Sequence, residues 1–338
     1  MSSKVSKNKE KMKEKKRDKL SEMSSSSKML DLVLTIMTFF LLGYFLWLLK
    51  SKNKTSAIKE FGASLAITAI LVPVCKRIFS SIHPFLASKK TSTRQNARKY
   101  GDQGWQFVVH VGMTMYEAYL LSSLSNWVWF NDMNTIFAPL TTFQESQIHL
   151  FYIIQLGIWF AVALSHKFIE SKRKDYFVMY GHHVVTISLV TLSYLNNWYV
   201  VGLLVLFAHD FSDIFVDMLK LCVYIGWEEM PYFFCTEFWF IANLVAWIYW
   251  RLYRFPLLLA GTFAFDNPYI QGVSTPDVYG PQGNTYIGCQ MLCGVLILMH
   301  IYWFFLFIKI AYRMIYEDNS EGEKEYEDDT DDEDDKEE

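Results

Sequence analysis

Residues 203–220, LVLFAHDFSDIFVDMLKL, decide the fold. The stretch opens as membrane-grade apolar sequence and then takes on His209, Asp210, Asp213, Asp217 and Lys220 within twelve residues. At about 100° per residue, these five project at roughly 0°, 100°, 40°, 80° and 20°, on one face of a helix. The other face, with Leu203, Leu206, Phe207, Phe211, Ile214, Phe215 and Met218, is apolar. A charged side chain at the bilayer centre costs about 2.5–3.5 kcal/mol on insertion scales. A plain anchor helix has no reason to carry such a seam, so the polar face is expected to line a cavity or meet a polar partner.

Working outward, the 338 residues are 52% hydrophobic and 17% aromatic. That mean is close to the composition of soluble domains, and the distribution is more informative. Charge is confined to the two ends and a few short clusters. Between them lie apolar blocks at roughly 29–49, 58–79, 104–125, 147–166, 180–196, 199–222, 235–258 and 286–312, each near the length that crosses a bilayer. The expected fold is all-α, a polytopic transmembrane helical bundle of about seven or eight spans. The block 58–79 is the weakest of them, because Lys76 and Arg77 interrupt it. No cleavable signal peptide is expected, since a long charged stretch precedes the first span and no small-residue cleavage site follows it. Basic clusters at 89–99 (KKTSTRQNARK) and 167–174 (KFIESKRK), against loops 126–146 and 259–285 that have no Lys or Arg, put 80–103 and 167–179 in the cytosol. Both termini are then cytosolic if 58–79 spans, although four lysines in loop 50–59 weigh against that arrangement. The five cysteines fall in or beside spans without zinc or disulfide spacing.

Four segments follow: a basic disordered tail at 1–28, one or two accessory transmembrane helices at 29–94, a membrane-embedded core at 95–315 and an acidic disordered tail at 316–338. Residues 1–28 carry ten Lys/Arg against four Asp/Glu, a run that suits an anionic membrane face. Residues 317–338 carry fifteen acidic residues against two lysines, a composition that stays disordered. Ser320 and Thr330, each followed by acidic residues, are candidate phosphorylation sites; a solvated, unmodified tail is the plainer alternative.

One helix before the seam stands the pair His182-His183, joined to it through a short turn near Asn196-Asn197. Consecutive helices so joined run antiparallel and adjacent. His182 and His183 are therefore expected to face Asp213, Asp217 and Lys220 near the cytosolic side. Imidazole takes a proton near neutral pH and attacks acyl groups, and a carboxylate can fix its tautomer. The constellation suits acyl transfer to an amine. Metal binding competes, but the histidines lack the HxxxH or HxxHH spacing of membrane di-iron sites, and no metal is expected.

Residues 182–224, HHVVTISLVTLSYLNNWYVVGLLVLFAHDFSDIFVDMLKLCVY, resemble the signature of the TLC-domain ceramide synthases, the longevity-assurance family. The matching positions are His182, His183, Thr186, Ser193, Tyr194, Asn197, Gly202, His209, Asp210, Asp213, Lys220 and Tyr224, and the resemblance extends over about 95–315. Val200 departs from the family, which usually has Arg there, and Asp217 stands where many members have Glu. The resemblance implies a TLC-type six-helix catalytic core in an endoplasmic-reticulum enzyme. It would join a fatty acyl group from acyl-CoA to the amine of a sphingoid base, with no cofactor because acyl-CoA is a substrate. His182, His183, His209, Asp210 and Asp213 would be catalytic, with His182 slightly preferred as nucleophile or base and His209 as second base or oxyanion donor. Ser193, Tyr194, Asn197, Asp217, Lys220, Lys172, Arg173 and Lys174 would bind substrate, the last three by holding CoA phosphates together with Lys167. The positive-inside rule alone also accounts for those basic residues. Membrane lipids are expected partners, together with a homo- or heterodimer mate or a small regulatory subunit, and no nucleic acid.

Several residues carry plainer expectations. His110 and Glu117 share a face and are expected to pair with another helix rather than line the site. Tyr249, Trp250, Arg251, Tyr253 and Arg254 are expected to anchor an interface, and His300 to be a packing residue. Two alternatives of other classes remain open: a non-catalytic TLC-domain protein, and a transporter using the seam as a proton relay, which would call for inverted repeats.

Overall fold

The structure is a computed structural model that describes residues 2–51, 53–132, 135–136, 139–169, 175–226, 234–263 and 281–316. Lys172, Arg173, Lys174, Ser320, Thr330, most of the loop 259–285 and the acidic tail lie outside the described residues. The described residues form helices and turns without strands. In chain order the helices are α1 (Ser2–Ser51), α2 (Thr55–Leu86), α3 (Arg94–Ser125), α4 (Val128–Asn131), α5 (Thr142–Phe168), α6 (Tyr176–Leu195), α7 (Tyr199–Ile225), α8 (Phe234–Ala246), a π-helical segment (Trp247–Arg254), α9 (Phe255–Phe263) and α10 (Pro281–Tyr316). The basic segment 1–28, expected as a tail, is helical from Ser2 as the start of α1; it is rich in Lys, Glu and Met, which favour helix, and has no Gly or Pro.

Among the described residues, six stretches are long and apolar enough to cross a membrane: Ser26–Ser51, Thr55–Leu86, Thr142–Phe168, Tyr176–Leu195, Tyr199–Ile225 and Thr285–Tyr312. The expected blocks 104–125 and 235–258 are also helical, but each departs from a plain span for a local reason. The first lies in α3, which carries Gln103, His110 and Glu117 into the protein interior. The second is divided by the π-helical segment. In α2, Lys76 is tolerated because it is paired: its ammonium lies 3.0 Å from Asp102 and donates to the Ser165 hydroxyl at 3.2 Å.

Local chemistry explains the ends. Thr93 caps α3 by accepting from the Asn96 amide, and Thr141 with Gln144 forms a capping box on α5. The turn between α6 and α7 places Asn197 at φ 60°, a left-handed position that Asn tolerates. Adjacent helices thus follow from a short turn, as expected. However, α7 packs chiefly against α3, with α6 beside it nearer the turn.

The main core gathers Phe45, Phe61, Tyr152, Phe160, Tyr194 and Leu203 from α1, α2, α5, α6 and α7. Helix α1 is tied to the core by more than apolar contact. Asp31 pairs with Lys167 and accepts from the Tyr176 hydroxyl at 2.8 Å. Lys167, considered above for CoA phosphates, is therefore committed to a structural ion pair.

A candidate active site where two cavities meet

The seam of α7 does not face one partner. Each of its acidic and imidazole groups meets a different helix. Asp217 accepts from Gln103 at 2.5 Å and lies 2.7 Å from His110 Nδ1, both on α3. Asp210 accepts from Gln155 of α5 at 2.9 Å, and the same amide reaches Glu117 at 3.2 Å. Asp213 pairs with Arg251 of the π-helical segment at 2.5 Å. His209 meets His300 of α10, Nε2 to Nε2, at 3.2 Å. The seam is the hub on which four surrounding elements converge, and this satisfies the polar groups that the apolar surroundings would otherwise penalise.

Three of these partners correct the expectations. Arg251 is no interface anchor: it is 2% exposed, donates to Ser212 at 2.7 Å and to the His209 carbonyl at 3.2 Å, and stacks on Trp247. It lies in the π-helical segment, where Trp247 and Arg251 are the buried residues. Tyr249 and Tyr253 remain outside, 44% and 55% exposed. His300 is no mere packing residue, because its ring joins the His209–Arg251 cluster. His110 pairs with another helix, as expected, and also lines the site.

Two cavities surround the hub. The larger, of about 380 Å³, has mostly apolar walls but holds the charged groups: His110, His183, Asp210, Asp213, Asp217 and Lys220 line it, with Asp175 and Lys309 also on its wall. Its volume falls in the range of small-molecule sites. The smaller is apolar and runs between α6, α7, α9 and α10, lined by Leu189, Val190, Val205, Leu206, Leu258 and Leu296. It reaches Trp198, Tyr286 and Thr262 at one end and His182, His209 and Asp213 at the other. Trp159, His182 and Asp213 line both cavities, so the two adjoin there.

His182 stands at this junction, 7% exposed, and neither of its ring nitrogens has a hydrogen-bond partner among the described residues. Its neighbours are the rings of Trp159, His183 and Trp303, at 5.9, 5.8 and 5.5 Å between centroids. The expected carboxylate partner of this histidine is absent among the described residues, since Asp210 and Asp213 are held by Gln155 and Arg251. One turn on, the Thr186 hydroxyl also lacks a partner among the described residues and lines the apolar cavity. His183 turns toward His166, whose ring centroid is 5.2 Å away.

The remaining sequence candidates divide by position. Ser193 lines the apolar cavity and bonds the Tyr152 hydroxyl at 2.8 Å and the Trp198 carbonyl at 2.8 Å. Lys220 and Asp217 line the polar chamber. Tyr194 and Asn197 line neither cavity: Tyr194 is buried in the core against His149, and Asn197 makes the turn. Gly202 earns its place sterically, because a Cβ there would fall on the Tyr152 hydroxyl and crowd Ser193. Sequence reasoning missed Gln103, Gln155 and His166. An amide or imidazole inside a span was their only signal.

Comparison with known proteins agrees with this architecture. Residues 99–309 match the TLC domain family. The chain is 28% identical to ceramide synthase 1 LOH3 of Arabidopsis thaliana, with 70% of this chain and 79% of the relative aligned. It is 28% identical to human ceramide synthase 1, over 75% and 70% of the two chains. It is 27% identical to sphingosine N-acyltransferase lag1 of Schizosaccharomyces pombe, over 74% and 62%. The match covers more than half of the chain and takes in all but one of the residues that line the two cavities, and the chain belongs to the TLC-domain family.

Proposed function

We propose that the protein is a ceramide synthase, an acyltransferase that moves a fatty acyl group from acyl-CoA to the amine of a sphingoid base. The observation that carries this reading is the position of His182, with both ring nitrogens unpartnered among the described residues, between an apolar cavity and one that holds the charged groups. An acyl-CoA has the same division: the hydrocarbon chain suits the apolar cavity, and the CoA moiety suits the polar chamber. The thioester then lies at His182. Lys220 and Lys309 on the chamber wall are of the residue type that binds phosphates as point charges.

That no carboxylate among the described residues bonds His182 favours a nucleophile over a relay base. A neutral imidazole with a free lone pair attacks the thioester carbon, the C–S bond breaks, and CoA leaves as the thiolate. The acyl-imidazole then reacts with the amine of the sphingoid base to give the amide. Binding in this order places an activated acyl group where water is scarce, which suppresses hydrolysis. The family and the helical spans support a multi-pass membrane protein, and the relatives' activity suits the endoplasmic reticulum, with the polar chamber facing the cytosol.

The test is an assay in membranes from cells lacking their own activity, with labelled sphinganine and a series of acyl-CoAs. Wild type is expected to form amide, and His182→Ala none at equal protein level. Absence of product from wild type with every acyl-CoA would refute the assignment.

A further inference from the structure

The end of the apolar cavity away from His182 is walled by Ser193, Trp198, Thr262, Tyr286 and Gln290. Helix α10 turns Tyr286, Cys289, Gln290, Cys293 and Leu296 to the cavity, at the three- and four-residue spacing of one helix face. Gln290 stands ten residues before His300, about 15 Å of helix rise, and is 8% exposed. Its neighbour fixes which way its amide points. The Thr262 hydroxyl donates its one proton to the Leu259 carbonyl at 2.8 Å. Its oxygen can therefore only accept from the Gln290 amide, 2.9 Å away, and the NH2 group of Gln290 faces Thr262. The amide oxygen is left over. It is buried and has no hydrogen-bond partner among the described residues. The hydroxyls at this end are committed elsewhere. Tyr286 donates to the Thr262 carbonyl, and Ser193 to the Trp198 carbonyl at 2.8 Å. Tyr152 reaches Ser193 at 2.8 Å and the Tyr199 carbonyl at 3.1 Å. The clamp on Thr262 accounts for the NH2 group of Gln290 but gives its oxygen nothing to do.

We propose that Gln290 Oε1 accepts a hydrogen bond from a hydroxyl at the far end of the acyl chain, so that the cavity selects ω-hydroxyacyl thioesters over chains that end in methyl. The proposal rests on the acyl-transfer reading above, with the acyl chain in the apolar cavity. A buried amide oxygen without a donor costs free energy. A methyl-ended chain that reaches the Trp198–Tyr286 end covers this oxygen with carbon and leaves the cost in place. A terminal hydroxyl donates to it and removes the cost. Between this end and the junction the wall is mainly aliphatic, with Leu189, Val190, Val205, Leu206 and Leu258. A hydroxyl placed midway along the chain is therefore buried without a comparable acceptor. The cavity reads the position of the hydroxyl as well as its presence. A terminal carboxylate fits poorly, because it sets acceptor against acceptor.

The test uses the full chain in lipid nanodiscs, as wild type and as Gln290→Leu, with labelled sphinganine. Lauroyl-CoA and myristoyl-CoA, whose extended chains are close to the span from His300 to Gln290, each compete in one tube with their ω-hydroxy counterparts. The ratio of the two amides gives the ratio of kcat/KM and does not depend on how much protein is folded. A purely structural Gln290 would lower both products alike and leave the ratio unmoved. For the better-fitting length, wild type is expected to favour the ω-hydroxy chain by about 10-fold, the scale of one net hydrogen bond. In Gln290→Leu the preference is expected to reverse, because the hydroxyl is then buried against carbon. A myristoyl chain with its hydroxyl at mid-chain should compete worse than plain myristoyl-CoA in the wild type. Equal use of plain and ω-hydroxy chains by the wild type, or a preference that survives in Gln290→Leu, would overturn the proposal, as would a mid-chain hydroxyl accepted as well as a terminal one. Should Gln290→Leu fail to accumulate, Gln290→Met is judged by the same criteria, and the hydroxyl-position series in the wild type stands by itself. Absence of amide from the wild type with every acyl-CoA would remove the acyl-transfer reading itself, an outcome distinct from the others.

Discussion

Thr186 is the side chain whose role is most sharply testable by itself. A threonine inside a helix usually returns its hydroxyl to the carbonyl four residues back, and Ser188 does so, to Val184 at 2.8 Å. The Thr186 hydroxyl has no partner among the described residues and is buried on the apolar cavity wall, one turn from His182. An unsatisfied buried hydroxyl costs stability, so Thr186→Val should leave thermal unfolding of the solubilised protein unchanged or shifted upward. If the hydroxyl donates to the acyl oxygen as charge develops, kcat should fall about 10²-fold, the scale of one oxyanion donor; an unaffected kcat would exclude that role. Arg251 makes the opposite prediction. Arg251→Gln leaves Asp213 without its counter-charge in a site where the arginine side chain is 3% and the aspartate 23% exposed. Breaking buried pairs costs about 3–5 kcal/mol, and the partial opening of Asp213 to the chamber places the expected loss near the lower figure. A lowered unfolding temperature checks it, and Arg251→Lys should restore only part of the stability because it lacks the planar fork.

Helix α7 shows what a sequence discloses and what it withholds. Its polar face was readable because five side chains share one helix at a fixed angular period, and the cost of charge in an apolar run demands an explanation. Its partners were not readable. His110, Arg251 and His300 are single polar residues on other helices, 107, 38 and 91 residues from the groups they meet. No local period records such a pairing. Arg251 was hidden further because it stands among Tyr249, Trp250, Tyr253 and Arg254, a cluster of the residue types that anchor membrane interfaces. The expected pairing of His182 with Asp210 or Asp213 failed for a related reason: the aspartates are claimed by Gln155 and Arg251, leaving His182 bare. The close approach of α5 to α7 gives this level its own test. Gly202→Ala puts a methyl on the Tyr152 hydroxyl and against Ser193. Such overpacking costs about 1–3 kcal/mol, so a lower unfolding temperature is expected, together with weaker binding of acyl-CoA, because Ser193 and Tyr152 line the apolar cavity.

Across the bundle, the proposed reaction divides the substrate between the two cavities. The apolar one runs along α6 from His182 to Ser193, eleven residues, or about 16 Å of helix rise. A hydrocarbon chain of about 1.5 Å bonds at tetrahedral-like angles advances about 1.25 Å per carbon, so roughly 13 carbons fit between the junction and the Trp198–Tyr286 end. Chains near that length are expected to be the preferred donors. Cys293→Phe, which narrows the cavity midway from α10, should shift the preference toward shorter chains in a competition assay with mixed acyl-CoAs. An unshifted profile would place the acyl chain elsewhere. The claim beneath all of this is that His182 carries the acyl group at the meeting point of the cavities. It is tested most directly by mixing the purified protein with a labelled acyl-CoA and no amine, then mapping the label by mass spectrometry. A near-stoichiometric burst of free thiol, an acyl group on His182, and its loss as amide when sphinganine is added are the results expected. No thiol release until the amine is present, with amide formation otherwise normal, would contradict an acyl-imidazole at His182.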